Sequence, residues 1–222
     1  MDWTSLYLSL RLGFWTVAIL LPLSIWLGRL LAYRDFRGKG LVEALVTLPV
    51  VLPPTVLGFY LLVGFGSSSP LGQFWSATFG EQLAFTFEGL LVASALVNIP
   101  FAVQPAQRGF EAIPTEVREA AACCGMSPLR RLWSVELPLA WPGLITAMVL
   151  VFAHTLGEFG VALMVGGAIP GETRTIAIAI YDRVQAFDTR AAAMMSVTLL
   201  AISTATIFLS FAMSKRVGRR LG

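Results

Sequence analysis

Charge is scarce in this sequence: Asp, Glu, Lys and Arg make up only 13% of its 222 residues, too few to wet the surface of a soluble globule of that size. Cysteine is limited to Cys123 and Cys124, and neighbours in a helical stretch have poor geometry for a mutual disulfide, so both read as reduced thiols. The single histidine, His154, lies far from that pair in an apolar segment, and no metal site is expected. No G-x-x-x-x-G-K-[ST] phosphate loop occurs, so this chain cannot cradle nucleotide phosphates by that route, and no cofactor is expected on it. The formal net charge of +3 is not gathered on a soluble face with interleaved aromatics, which argues against a nucleic-acid partner. Met1-Asp2-Trp3-Thr4-Ser5 lacks a basic signal-peptide region, and the apolar run behind it is too long for a cleaved one, so a retained helix is expected.

The sequence is instead rich in long apolar runs, with 56% hydrophobic residues and stretches matching the roughly 20 residues that cross a hydrocarbon core. The pattern predicts an all-α integral membrane protein, with lipid around it and about five transmembrane helices: Leu6 to Ala32, Leu41 to Phe65, Leu83 to Val103, Leu139 to Val165 and Ala191 to Met213. Residues 1–222 form one domain on this reading, with its core at 6–213. Arg29, Arg34, Arg37, Lys39, Arg108, Arg118, Arg130, Arg131, Lys215, Arg216, Arg219 and Arg220 fall on one side of this threading. Arg174, Arg183 and Arg190 fall on the other, and Arg11 lies inside the first span. Because basic residues mark the cytoplasmic side, the N-terminus is expected outside and the C-terminus inside a cytoplasmic (inner) membrane crossed several times. Residues 66–82, with their glycines and Pro70, predict an external loop. Residues 173–187 predict a short amphipathic helix in the outer interface, with Ile176, Ile180 and Val184 on its apolar side.

The cytoplasmic segment 108–138 carries the most information. Thr115 is placed to cap a helix that Gly125 ends, and Ser127 caps a second with Pro128 at its first position. Leu129, Leu132 and Trp133 give the second helix an apolar side, which makes the pair a compact docking unit. Within it, Glu119-Ala120-Ala121, three residues, Gly125, nine residues, Val135, one residue and Leu137-Pro138 resemble the EAA loop of ABC importer permeases, which more often have Ile at the Val135 position. The resemblance implies a type I importer permease fold in which Glu119, Ala120, Ala121, Gly125, Leu137 and Pro138 form a coupling helix for a cytoplasmic ATPase. Small alanines permit deep seating against such a partner, and Glu119 offers it a carboxylate.

TLPVVLPPTVLG at 47–58, NIPFAVQP at 98–105, LGEFG at 156–160 and GGAIPGETRT at 166–175, followed by AIY at 179–181, are similar to the molybdate permeases. Sulfate and tungstate permeases carry similar blocks, so the oxyanion class is the firmer expectation. The resemblance implies a homodimer, two cytoplasmic ATPase subunits and an external oxyanion-binding protein. Thr47, Pro53, Pro54, Thr55, Asn98, His154, Gly157 and Glu158 are candidates for the translocation path or gate. Pro49, Pro53 and Pro54 interrupt the helix ladder, which either exposes carbonyls to a path or kinks a packed helix. Asn98 has a passing anion or a neighbouring helix as alternative partners, with the helix favoured. His154 and Glu158, four apart, share a helix face and can pair, and a carboxylate makes a poor ligand for an anion, so Glu158 fits packing or gating better. Ala153, Gly157, Ala192, Ser196, Ala201 and Ala205 offer small faces for close packing. A membrane enzyme using His154 and Glu158 as acid and base is the rival from another class, but it lacks a nucleophile or metal ligands beside them. An ATP-independent carrier is a second rival, without the internal repeats such carriers commonly show.

Overall fold

The computed structural model describes the backbone of residues 1–221 and the side chains of residues 1–208; the side chains of Met213, Lys215, Arg216, Arg219 and Arg220 fall outside the described residues. Among the described residues the chain is helical without strands. Its α-helices are α1 (Trp3–Tyr33), α2 (Lys39–Val51), α3 (Pro54–Phe65), α4 (Pro70–Phe79), α5 (Phe87–Glu111), α6 (Thr115–Cys123), α7 (Pro128–Arg131), α8 (Leu137–Gly157), α9 (Gly160–Gly166), α10 (Ile176–Gln185) and α11 (Thr189–Leu221). A π-helical turn, Leu132–Glu136, joins α7 to α8. Four stretches are long and apolar enough to span a membrane: α1, α5, Pro128–Gly157 and Thr189–Phe208. The α2–α3 pair, bent by 109°, makes a fifth if it counts as one span.

Helix α5 sits at the centre, packed against α1 and α8. Glycines set these close approaches: a Cβ on Gly143 of α8 would stand 2.6 Å from the Pro105 carbonyl oxygen and 2.7 Å from the Gly109 Cα, and one on Gly28 of α1 would stand 2.9 Å from the Gln107 nitrogen. Of the small residues expected to pack, Ala192 is buried, whereas Gly157, Ser196, Ala201 and Ala205 are exposed.

Several expectations change with the structure. The second span breaks at Leu52–Pro53, where two consecutive prolines remove backbone donors and Pro54 starts a new helix. The expected loop at 66–82 contains α4, because the Ser69 hydroxyl accepts from the Gly72 N–H at 2.8 Å, Pro70 fits the first turn and Gly80 adopts a left-handed stop at φ 79°. The fourth span is not continuous: α8 ends at Gly157, Glu158 is extended, and α9 starts at Gly160. Helix α10 does form, but it buries Ile176, Ile178 and Ala179 in the bundle, with the Ile176 N–H donating to Ser9 Oγ at 2.8 Å, while Val184 is exposed. Thr115 is the first residue of α6, not its cap; Pro114 takes that place without a side-chain hydrogen bond.

The helix order gathers the α1–α2 connection, the end of α5, α6 and α7 at one end of the bundle, and Asp2, Arg174 and α10 at the other. At that second end Arg174 lies 2.7 Å from Asp182 and 3.7 Å from Asp2.

Candidate docking unit and translocation site

Helix α6 projects as a short knob. Its Glu119 and Ala120 are exposed, while Ala121 is buried beneath it. Gly125 has φ 73°, a left-handed conformation open to glycine, and its N–H reaches the Ala122 carbonyl at 2.9 Å, ending the helix. Ser127 Oγ then accepts from the Arg130 N–H at 3.3 Å and Pro128 opens α7. Leu137, half-buried, and Pro138, exposed, form the first turn of α8. The motif residues thus divide into a surface set, Glu119, Ala120, Gly125 and Pro138, and an inward set, Ala121 and Leu137.

The intervening residue, Glu136, has no exposed surface at all. Arg29 Nε of α1 ion-pairs with its Oε2, Arg29 Nη2 donates to its Oε1 at 3.1 Å, and Arg131 Nε stands 3.5 Å away. An isolated buried carboxylate is very unfavourable, so the two guanidiniums are what permits its burial. The Arg29 pair also fastens the docking unit to a helix 107 residues earlier in the chain. Nothing in the residues around Glu136 marks it in the sequence, where Arg29 reads only as a topology signal.

Farther along the bundle a chain of polar side chains crosses the core. Thr16 Oγ1 donates to Ser94 Oγ at 3.1 Å, and Ser94 Oγ lies 3.4 Å from Thr155 Oγ1. Buried Asn98 donates to the Ser94 carbonyl at 2.8 Å and to Thr155 Oγ1 at 3.2 Å, and its Oδ1 lies 3.1 Å from His154 Nδ1. His154 stacks on Phe101 with centroids 4.3 Å apart, and its Nε2 stands 3.8 Å from Glu158 Oε2. Glu158 Oε1 accepts from the Val161 N–H at 3.0 Å, so the carboxylate caps α9 across the helix break. Asn98, His154 and Glu158 are therefore brought together, with Ser94 and Thr155 as members that carry no sequence signal beyond being small and polar.

The two helix breaks meet beside this chain. A Cβ on Gly160 would stand 2.8 Å from Pro54 Cβ, and one on Gly58 would stand 2.9 Å from Met164 Cβ, so α3 and α9 are in close contact. Pro53, Pro54, Thr55 and Gly157 are all exposed at this junction. Thr47 lies apart from it. Its hydroxyl donates to the Glu43 carbonyl at 2.8 Å and accepts from Gln104 Nε2 at 3.2 Å, in a cleft of about 420 Å³ that Glu43, Gln107, Arg108 and Glu111 also line. Among the described residues no group of three or more His, Cys, Asp or Glu is placed to hold a metal ion.

Residues 21–221 match the family described as "Binding-protein-dependent transport system inner membrane component". The chain is 47% identical over 191 residues to the molybdenum transport system permease protein ModB of Azotobacter vinelandii, covering 84% of this chain and 83% of that protein. It is 36% identical over 189 residues to the sulfate transport system permease protein CysT of Salmonella typhimurium, covering 85% of this chain and 68% of that protein. In fold it resembles a chain of a bacterial alginate ABC transporter solved in complex with an alginate pentasaccharide-bound periplasmic protein, with TM-score 0.75, 16% identity, and 96% and 78% of the two chains covered. The multi-pass helical bundle, the knob formed by the EAA pattern and the match along nearly the whole sequence agree: this chain belongs to the family of inner membrane components of binding-protein-dependent transport systems, whose members are permease subunits of ABC importers and not enzymes.

Proposed function

We propose that this chain is the permease subunit of an ATP-driven molybdate importer. The observation that carries the coupling part is the exposed α6 knob, with Glu119 and Ala120 outward and Glu136 fixing its base to α1. The 47% identity to the molybdenum permease of Azotobacter vinelandii favours molybdate as the ion. The subunit works as a homodimer around a central path, with its N-terminus outside and α6 in the cytoplasm, where one of two ATPase subunits grips each knob. ATP and Mg belong to those subunits. An external binding protein delivers the oxyanion and supplies most of the selectivity.

The mechanism follows from what is rigid and what is broken. When the ATPase subunits close, they draw the two knobs together. Each knob continues through the π turn into α8 and is tied to α1, so both helices move with it as a body. The displacement arrives at the broken junction of Pro53, Pro54 and Glu158, where interrupted helices can rearrange at the least loss of backbone hydrogen bonds. Asn98, His154, Gly157, Thr55 and Thr47 lie along the way as path or gate residues. A weak site of hydroxyls, amides and backbone N–H groups suits an anion that must leave again.

The test is uptake of labelled molybdate by vesicles holding the complete complex, with tungstate and sulfate as competitors. Saturable, ATP-dependent molybdate uptake resisting excess sulfate supports the proposal. Sulfate uptake that outcompetes molybdate would favour the second reading, to which the 36% identity with a sulfate permease points.

A further inference from the structure

A groove of about 670 Å³ opens beside the docking unit, between the last turns of α1 and the α6–α8 connection. It is lined by Arg29, Arg34, Arg118 and Arg131, with no carboxylate among its described lining residues. The nearest acid, Glu136, is fully buried and already engaged by Arg29 and Arg131. Arg34 is exposed and makes no ion pair among the described residues. The Arg118 guanidinium is held 3.4 Å over the Tyr33 ring, and its buried Nε has no hydrogen-bond partner.

The rest of the groove is apolar. Pro22, Ile25 and Leu30 continue it along α1 toward the membrane interior. Trp26 and Trp133 stand on its rims, 63% and 66% exposed. Exposed tryptophans flanking a basic patch at the end of a spanning helix mark the depth of lipid headgroups. A site with guanidiniums at headgroup level and an apolar track leading inward has the two-part chemistry of a phospholipid, and its excess of positive charge selects an anionic one.

We propose that this groove binds an anionic phospholipid, with its phosphate on Arg34 and Arg118 and an acyl chain along α1 past Trp26. The lipid would brace the knob against α1 from outside, as Glu136 does from within. The inference needs only that α1 spans the membrane and is independent of which ion is carried.

The full chain, purified in detergent, is incubated with phosphatidylglycerol or phosphatidylcholine vesicles, and retained lipid is read by native mass spectrometry. Phosphatidylglycerol should be retained preferentially, with retention falling roughly fivefold for each of Arg34→Gln and Arg118→Gln. Arg34→Gln changes only an exposed side chain, so it remains informative if Arg118→Gln disturbs the docking unit. Arg37→Gln, a change outside the groove, should leave retention unchanged. Equal retention of the two lipids by the unaltered chain, or an equal loss on Arg37→Gln, would overturn the proposal. So would release of the bound lipid when the ATPase subunits assemble, which would assign the groove to the protein partner.

Discussion

Two carboxylates sit in the bundle interior under opposite regimes. Glu136, at the α6 end, is sealed from solvent and held by the guanidiniums of Arg29 and Arg131. Glu158, at the break between α8 and α9, is 9% exposed and has a backbone N–H and a neighbouring imidazole as partners. The first is a fastening: guanidiniums face it from α1 and α7, and it joins the end of α1 to the base of the α6–α8 unit. The second sits where the chain is already interrupted, with partners that can be exchanged for others. On the proposed mechanism, strong polar contacts hold the end that would bear force, and weaker ones hold the place that would have to move.

The sharpest way to break this contrast is Glu136→Ala, which strands Arg29 and Arg131 and should destabilise the chain by about 3 kcal/mol or more. Thermal unfolding in detergent would read it. Arg29→Met combined with Glu136→Leu should recover most of that loss, because a buried ion pair is often replaceable by apolar packing. If the single variant melts like the unaltered protein, Glu136 is no fastening. At the knob, Glu119→Arg or Gly125→Val should cut ATP-driven uptake by about tenfold or more while the chain still inserts at its usual level, since both change the gripped surface and leave the span interfaces intact. Vesicle uptake beside immunoblotted protein levels separates those two outcomes.

At the other carboxylate the effects shrink. Asn98→Leu removes the amide that faces His154 Nδ1 and Thr155 Oγ1 and should cost about 1–3 kcal/mol of stability, seen as a lowered midpoint of thermal unfolding. His154→Gln keeps a polar group facing Asn98, so uptake should fall by no more than about threefold; complete loss with normal assembly would make His154 part of the path. Smallest of all is Asp2. Burial raises its carboxyl, but the Ser5 hydrogen bonds and then Arg174 and Arg183 hold it below its ordinary value. Its contribution is present above the unfolded carboxylate value and is lost as pH falls through the lower folded one. Asp2→Asn should therefore flatten a slight loss of stability below about pH 4, measured by melting across an acid series.

Much of this arrangement is legible in the sequence, and the exceptions share a cause. The spans follow from apolar length, and the knob from Gly125, Ser127 and Pro128, whose backbone preferences are local. Glu136 escapes notice because its partner Arg29 is 107 residues away and nothing in the residues around it indicates burial. The break at Glu158 is hidden by apolar sequence on both sides, and only Gly157 and Gly160 mark it. Helix α4 carries its own signal, since Ser69-Pro70 is a start and Gly80 a stop, but Gly66 and Gly72 beside it read as loop.

The π turn at Leu132–Glu136 fixes the angular phase of everything beyond it. A π turn holds about one residue more than an α turn, so deleting one residue there would let it close into plain α-helix with the flanking helices near their present phase, whereas inserting one would rotate α7 and the knob by about 100° around the axis of α8. On insertion the distance from knob to membrane would hardly change, but the knob would face another way.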